Sequence, residues 1–302
     1  MLRARKPCKE VFVHIGQMIA SARTPFCSLE FFPPSDAAQM PDFYATVERL
    51  RALDPLFVSV TYGAGGAGGR KTLSVTAELA RRGFAVMAHL TCAGADAASL
   101  DAFLGELRSS GVCNVLALRG DPPAGQPWDW NQGAFCHASD LVAFVRERQP
   151  DMGIGVAAYP APHPESSSFA QDRRHTAEKM RAGADFAVTQ LFFDAREYED
   201  LVAHLRGQGV TTPVIPGILP VQSFESLRRI LSLCGANIPG KLYLSLEKAH
   251  ADGGAEAVRE MGLAFAVGQI RRLLDCGAPG IHLYTLNRAD LCLRLAQEAG
   301  LA

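Results

Sequence analysis

Val58-Ser59-Val60-Thr61-Tyr62-Gly63-Ala64-Gly65-Gly66 decides how the chain is read. The five residues before Gly63, β-branched at Val58, Val60 and Thr61, read as a buried strand. The run then breaks into a glycine loop over 63–69, interrupted only by Ala64 and Ala67. A strand that ends in polar residues and a pliable loop is how an α/β protein places chemistry at the carboxyl edge of its sheet. The layout recurs along the chain. Other strand-like runs end at Glu30, at His89, at Arg119 with Asp121, at Tyr159 with His163, and at Gln190. These ends are expected to converge on one site.

Eight strand-like runs cover 27–32, 57–62, 85–92, 114–120, 153–159, 186–193, 213–218 and 280–286. Helical patterns fill the gaps at 43–53, 71–82, 100–109, 139–148, 169–181 and 198–205, mostly closed by Gly or Pro. Ser139 or Asp140 is the candidate N-cap of the 139–148 helix. The interval from 218 to 280 is longer and holds helices over 223–234 and 254–276. Pro239 and Gly253-Gly254 separate these two or bound an extra one. Eight strands alternating with helices predict a parallel sheet, most simply an α/β fold closed into a (β/α)8 TIM barrel. Extra helices lie at the N-terminus and between strands 7 and 8. No composition shift marks a second domain, so residues 1–302 read as a single barrel. The competing architecture is an open doubly wound sheet. No Gly-x-Gly-x-x-Gly follows the first strand, and the eight-fold count suits a barrel better.

The length of 302 residues fits a barrel of about 250 plus additions. Apolar residues make up 48% and charged residues 20%, a globular balance that allows a large core. A net charge of −1 without a long basic run argues against nucleic acid as partner. The apolar runs are too short to span a bilayer. The basic start Met1-Leu2-Arg3-Ala4-Arg5-Lys6 is followed by Lys9, Glu10, His14 and Gln17, not by an apolar signal segment. Val11, Phe12, Ile15, Met18 and Ile19 instead share one helical face. The eight cysteines contain no Cys-x-x-Cys pair and fit no zinc spacing, so no metal is expected. They read as reduced structural thiols of a cytoplasmic protein.

Several strand ends carry groups suited to chemistry. Glu30, between Leu29 and Phe31, is expected to have a raised pKa and to serve as a general acid, unless it is a solvated strand-end glutamate. Arg119 in Leu118-Arg119-Gly120-Asp121-Pro122-Pro123 reads as a phosphate or carboxylate partner, or as one half of an Arg–Asp loop clasp. Tyr159 and His163 sit in a loop stiffened by Pro160, Pro162 and Pro164. Asp172, His175 and Lys179 share one side of the next helix, where Lys179 suits a phosphate but would as readily be solvated. Gln190, flanked by apolar residues, can donate and accept at a heteroaromatic ring edge; the alternative is an amide bonding neighbouring backbone. His89 alone in its strand, without a second histidine at ligand spacing, gives no metal signal.

Taken together, the motifs resemble methylenetetrahydrofolate reductase of the bacterial flavoprotein type. The likeness rests on Ser28-Leu29-Glu30-Phe31-Phe32-Pro33-Pro34, Val60-Thr61-Tyr62-Gly63-Ala64-Gly65-Gly66 and Ala88-His89-Leu90-Thr91-Cys92. It continues through Arg119-Gly120-Asp121-Pro122-Pro123, Tyr159-Pro160 with His163-Pro164-Glu165, and Thr189-Gln190-Leu191-Phe192-Phe193-Asp194. Pro216-Gly217-Ile218-Leu219-Pro220 and Tyr284-Thr285-Leu286-Asn287-Arg288-Ala289 complete it. The resemblance covers nearly the whole chain. It implies a barrel with FAD at its carboxyl end, reduced by NADH or NADPH, with methylenetetrahydrofolate then reduced to 5-methyltetrahydrofolate on the same face. By motif position Glu30 would be the acid, and Asp121 would tune the flavin and stabilise a substrate cation. Gln190 would contact folate and nicotinamide in turn, and Arg288 the folate tail. Thr61 would lie near the nicotinamide. Tyr62, His89, Arg119, Gly120, Tyr159, His163, Asp172, His175 and Lys179 would hold FAD. A homo-oligomer is the implied state.

Two positions depart from the family pattern. His175 stands where the FAD-contacting helix would carry Asn, and Glu178 where it would carry Arg. An anion near a diphosphate is expected to loosen FAD by about 1–3 kcal/mol if the groups are close and poorly solvated. The competing functional readings are a flavin-free barrel enzyme of folate chemistry and a non-catalytic paralogue. The paralogue would be expected to lack Glu30, Asp121 or Gln190, and all are present.

Overall fold

The computed structural model describes residues 13–62, 66–122, 128–129 and 133–301. Val11, Phe12, Cys8 and the loop residues Gly63 to Gly65 lie outside them. The strands are β1 (Phe26–Phe31), β2 (Phe57–Val60), β3 (Val86–Thr91), β4 (Asn114–Leu118), β5 (Gly153–Ala158), β6 (Phe186–Thr189), β7 (Val214–Ile215), β8 (Gly217–Ile218) and β9 (Gly280–Tyr284). Helix α1 (Ile15–Ser21) precedes them. Between and after them run α2 (Met40–Leu50), α3 (Gly66–Arg81), α4 (Ala97–Ser109), α5 (Ala138–Arg148), α6 (Phe169–Arg181), α7 (Ala195–Gly207), α8 (Phe224–Cys234), α9 (Gly240–Asp275) and α10 (Ala289–Ala299). Every strand pairing is parallel, as β-helix-β alternation requires.

The ring closes through the segment expected as one strand at 213–218. It divides at Pro216, which has no N–H to give to a ladder. On one side of the proline, Val214 and Ile215 pair with Ala187 and Val188 of β6. On the other, Gly217 and Ile218 pair with His282 and Leu283 of β9. β9 in turn pairs with β1. One short segment therefore joins both edges of the sheet, and the open-sheet alternative falls away.

Strand alternation separates two cores. In β1, Cys27, Leu29 and Phe31 pack outward against helix residues such as Val47, Leu50, Leu79 and Leu104. Phe26 points inward with Phe57, Met87, Leu116, Phe186, Val188 and Ile215 to form the barrel floor. Ile15 and Ile19 of α1 belong to the same floor cluster, so the N-terminal amphipathic helix plugs the barrel bottom. Asn114 anchors it: its Oδ1 accepts from Ile15 N at 2.9 Å and its Nδ2 donates to Val13 O at 2.8 Å.

The additional helices expected before the last strand lie between β8 and β9; they are α8 and the first part of α9. They build a satellite core in which Phe224, Leu227, Leu246 and Val258 meet Leu191, Phe193 and Leu219. α9 is broken at Gly253 and Gly254, the latter at φ +62 and ψ −152, a region open in practice only to glycine. The start of α5 differs from expectation. His137 is its N-cap, and Asp140 reaches back from the first turn to accept from Cys136 N and His137 N, both at 2.9 Å. A carboxylate three residues into a helix satisfies free N–H groups as well as one at the cap.

Candidate active site

Parallel pairing sends all strand carboxyl ends to one face of the ring, and a cavity of about 670 Å³ opens there. Its walls include Arg119, Gly120, Asp121, Tyr159, His163, Asp172, His175, Lys179 and Gln190, nine of the residues picked from the sequence. Glu30 and His89 do not line it; both are buried inside the barrel. Thr61 and Tyr62 lie at the end of β2, where Tyr62 packs edge-on against Phe103. Arg288 is exposed at the N-cap of α10 and does not line the cavity.

The turn before Arg288 is held under tension. Leu286 and Asn287 sit at φ +46 and +56, where residues other than glycine store strain. Asn287 compensates by bridging to β1: its Oδ1 accepts from Phe32 N at 3.1 Å and its Nδ2 donates to Phe32 O at 2.7 Å. The exits of β1 and β9 are thus tied together beside Glu30.

Inside the barrel, Glu30 stands between two imidazoles. Its Oε2 lies 3.4 Å from His89 Nε2 and 3.6 Å from His282 Nε2. All three side chains are at least nine-tenths buried. Ser28 Oγ donates to Ile281 O at 3.3 Å and lies 2.9 Å from His282 Nδ1. The carboxylate and the two imidazoles form one buried cluster. This corrects the expectation for Glu30. Burial does push its carboxyl up, as the apolar neighbours implied, but the two imidazoles beside it, His282 and His89, outweigh that and hold it at about 2. The sequence showed the desolvation and not the two imidazoles brought in by β3 and β9. His282 was missed altogether, although Gly280, His282 and Tyr284 share the inward parity of β9.

Around the cavity the polar groups are set for an elongated, charged ligand. Lys179 Nζ donates to Ala157 O at 2.5 Å, and burial, opposed by Asp172 and aided by Arg119, lowers its ammonium to about 8. Arg119 pairs with Glu165 at 2.7 Å. Asp172 Oδ1 accepts from His163 N at 3.1 Å and Ser166 Oγ at 3.0 Å, while its buried Oδ2 has no hydrogen-bond partner among the described residues. Burial, reinforced by Asp172, raises the Tyr159 phenol to about 12, so it stays a donor at neutral pH. Gly120 sits at φ +83, and a Cβ there would come within 2.9 Å of Thr91 Cβ, so only glycine lets the chain turn toward Asp121. Gln190 keeps part of each reading. Its Oε1 accepts from Leu191 N at 2.8 Å, leaving its amide N–H groups for the cavity.

These residues fit FAD. Two cations suit a diphosphate, and an orphaned buried carboxylate oxygen suits a ribose hydroxyl. The cavity is of ligand-binding size. Among the described residues no group of three or more His, Cys, Asp and Glu is placed to hold a metal ion. Among the same residues no helix is long and apolar enough to cross a membrane.

Comparison with known proteins agrees with this geometry. The family model for methylenetetrahydrofolate reductase matches residues 14–300. The 5,10-methylenetetrahydrofolate reductase of Salmonella typhimurium is 34% identical over 276 residues, covering 90% of each chain. Methylenetetrahydrofolate reductase (NADH) 1 of Arabidopsis thaliana is 36% identical over 290 residues, covering 91% of this chain and 48% of its own. A probable methylenetetrahydrofolate reductase (NADPH) of Caenorhabditis elegans is 37% identical over 285 residues, 91% of this chain and 42% of its own. The chain thus spans about half the length of these eukaryotic relatives. Among solved structures, a Clostridium thermocellum protein that binds two copies of 5-methyl-5,6,7,8-tetrahydrofolic acid superposes with a TM-score of 0.66. It covers 95% of this chain and 98% of its own at 14% identity, a likeness of fold alone.

Proposed function

The chain belongs to the methylenetetrahydrofolate reductase family, and from that premise we propose that it reduces 5,10-methylenetetrahydrofolate to 5-methyltetrahydrofolate with NADH or NADPH through bound FAD. The observation that carries this reading is the cavity of cations and polar groups at the carboxyl face of a barrel that also buries the Glu30–His89–His282 cluster. The folate specificity draws support from relatives named for this reaction and from a structural neighbour that binds the methylated product.

Arg119 and Lys179 would meet the diphosphate, Asp172 Oδ2 a ribose hydroxyl, and Tyr159, His163, Gly120 and Thr61 the rest of the flavin and nicotinamide side. When bound, FAD would supply a two-electron relay between nicotinamide and folate. The protein supplies the proton. Opening the folate five-membered ring to an iminium needs protonation of the departing nitrogen, and Glu30, with His89 and His282 beside it, would deliver that proton. Asp121, which lines the cavity, would stabilise the substrate as it turns cationic. Gln190 offers its free N–H groups to the pterin edge, and Arg288, on its braced turn, would take the carboxylate tail. Residues 1–302 would work as one barrel domain in a cytoplasmic homo-oligomer, a state that light scattering during size exclusion can test.

The deciding experiment is the visible spectrum of the purified protein under anaerobic conditions. A flavin band that bleaches with NADH or NADPH and returns with methylenetetrahydrofolate is the expected result. No band after incubation with FAD would sink the flavoprotein reading. A band that bleaches but never returns with the folate would sink the substrate assignment.

Lys179 makes FAD binding pH-dependent. The ammonium attracts the diphosphate and the neutral amine does not, so affinity is expected to fall as pH rises through about 8. The slope approaches about tenfold per pH unit until the bound-state pKa is passed. Lys179→Met is expected to bind FAD more weakly near neutral pH and to lose this slope. Flavin fluorescence titrations at about pH 7 and about pH 9.5 that gave the same wild-type dissociation constant would remove Lys179 from the diphosphate site.

A further inference from the structure

The exit of β1 is held from two sides. Beyond Phe31 the chain leaves the sheet, and Pro33 and Pro34 have no N–H to give to a neighbour. Connections at such a position are ordinarily mobile. Here Lys71, in α3 after β2, donates from Nζ to Pro34 O and Ser35 O, both at 2.8 Å. From the β9 side comes Asn287, whose amide brackets Phe32 N and Phe32 O. The carbonyls between these contacts and Glu30 are engaged as well. Phe31 O accepts from Thr61 N at 3.0 Å, and Glu30 O accepts from Thr285 Oγ1 at 2.6 Å.

The outer contacts add little to the stability of the core. The two Asn287 bonds and the bond from Lys71 to Ser35 are exposed, where the net gain from a hydrogen bond is small. The turn that carries Asn287 is also costly, because Leu286 beside it sits at φ +46, a conformation that bulky side chains rarely adopt. Strain kept in a turn points to a use for what the turn holds. This turn holds Phe32, two residues after Glu30. The Glu30 carboxylate in turn faces His89 and His282 at 3.4 Å and 3.6 Å, distances that a swing of its strand end would change.

We propose that Lys71 and Asn287 are positioning residues, which pin the exit of β1 from the β2 and β9 sides and so hold the Glu30 carboxylate in place for proton delivery to the folate. The proposal rests on the reductase reading above. Both residues act through the backbone of residues 32–35 and not on the reacting atoms.

The test follows the two half-reactions of the FAD-loaded enzyme by stopped flow. Lys71→Met keeps the apolar stem and removes the donors. Asn287→Gly keeps the positive φ without strain and removes the bridge to Phe32. Each is expected to slow flavin reoxidation by methylenetetrahydrofolate by about ten- to a hundredfold, the effect of a small misplacement of a reacting group. Flavin reduction by NAD(P)H should stay within a few-fold of wild type, and melting temperatures should change little. Lys71→Arg, which still offers donors to both carbonyls, should restore most of the folate rate. Reoxidation at the wild-type rate in both variants overturns the proposal. So does equal slowing of the two half-reactions, which marks a purely structural role, or an arginine variant as slow as Lys71→Met. In each of these cases the reductase reading stands, because the wild type completes both half-reactions. A wild type that methylenetetrahydrofolate fails to reoxidise overturns that reading and this proposal together.

Discussion

Glu30→Gln is expected to slow turnover of methylenetetrahydrofolate by a factor on the order of 10²–10⁴, the usual yield of a positioned acid. The amide is nearly isosteric and leaves the barrel packing intact. It cannot take a proton from His282 Nε2 at 3.6 Å or His89 Nε2 at 3.4 Å and pass it on. Bleaching of the flavin by NAD(P)H should stay within a few-fold of wild type, because hydride transfer from a nicotinamide asks no proton of Glu30. Stopped-flow measurement of the two half-reactions separates these effects. Folate reoxidation within about tenfold of wild type would remove Glu30 from the proton path. The same substitution has a pH signature in stability. The folded carboxyl is held down at about 2, below its unfolded value, by His282 and His89 against the opposing effect of burial. Its ionised form therefore stabilises the fold above the unfolded pKa, and that contribution is lost as pH falls through the folded one. The stability advantage of wild type over Glu30→Gln should accordingly shrink between about pH 4 and about pH 2.

Phe57→Ala should cost about 3–5 kcal/mol, a large part of the stability of an ordinary domain. Phe57 is fully buried in the barrel floor, with ring centroids 6.4 Å from Phe26 and 5.7 Å from Phe186. Strands on a closed ring cannot collapse far into the void that truncation leaves. The ring also stacks on His282 at 5.9 Å, so the floor supports the imidazole that faces Glu30. Urea unfolding would show the loss directly. A drop below about 1 kcal/mol would mean that the floor is not packed around this ring. Folate turnover should fall as well, through looser placement of His282.

Much of the architecture was legible because it is written in short-range periodicity. The β-branched run at Val58, Val60 and Thr61 became β2, and Ser223 capped α8 where the helical pattern began. Inward and outward residues of β1 followed simple alternation. Pro216 was visible in the sequence, yet that it would split one strand between two neighbours depended on where the ring had to close. The cavity residues were found from their places at strand ends and on one face of α6, since parallel strands bring all such places together.

Charge states and partners were another matter. Glu30 was recognisable as a carboxylate in apolar company, but its two imidazoles come from β3 and from β9 near the far end of the chain. Gln190 spends its oxygen on Leu191 N, and Glu178 turns to His175 instead of the cavity. By itself the sequence determined the strand and helix pattern, the barrel and the set of polar groups at its carboxyl face, because periodicity and turn chemistry act over a few residues. Only the tertiary structure decided which of those groups touch and which neighbours act on the Glu30 carboxyl. Ionisation and hydrogen bonding depend on distances of a few ångströms across strand registers, such as Glu30 beside Tyr284 and Ser28 beside His282, that no local pattern encodes.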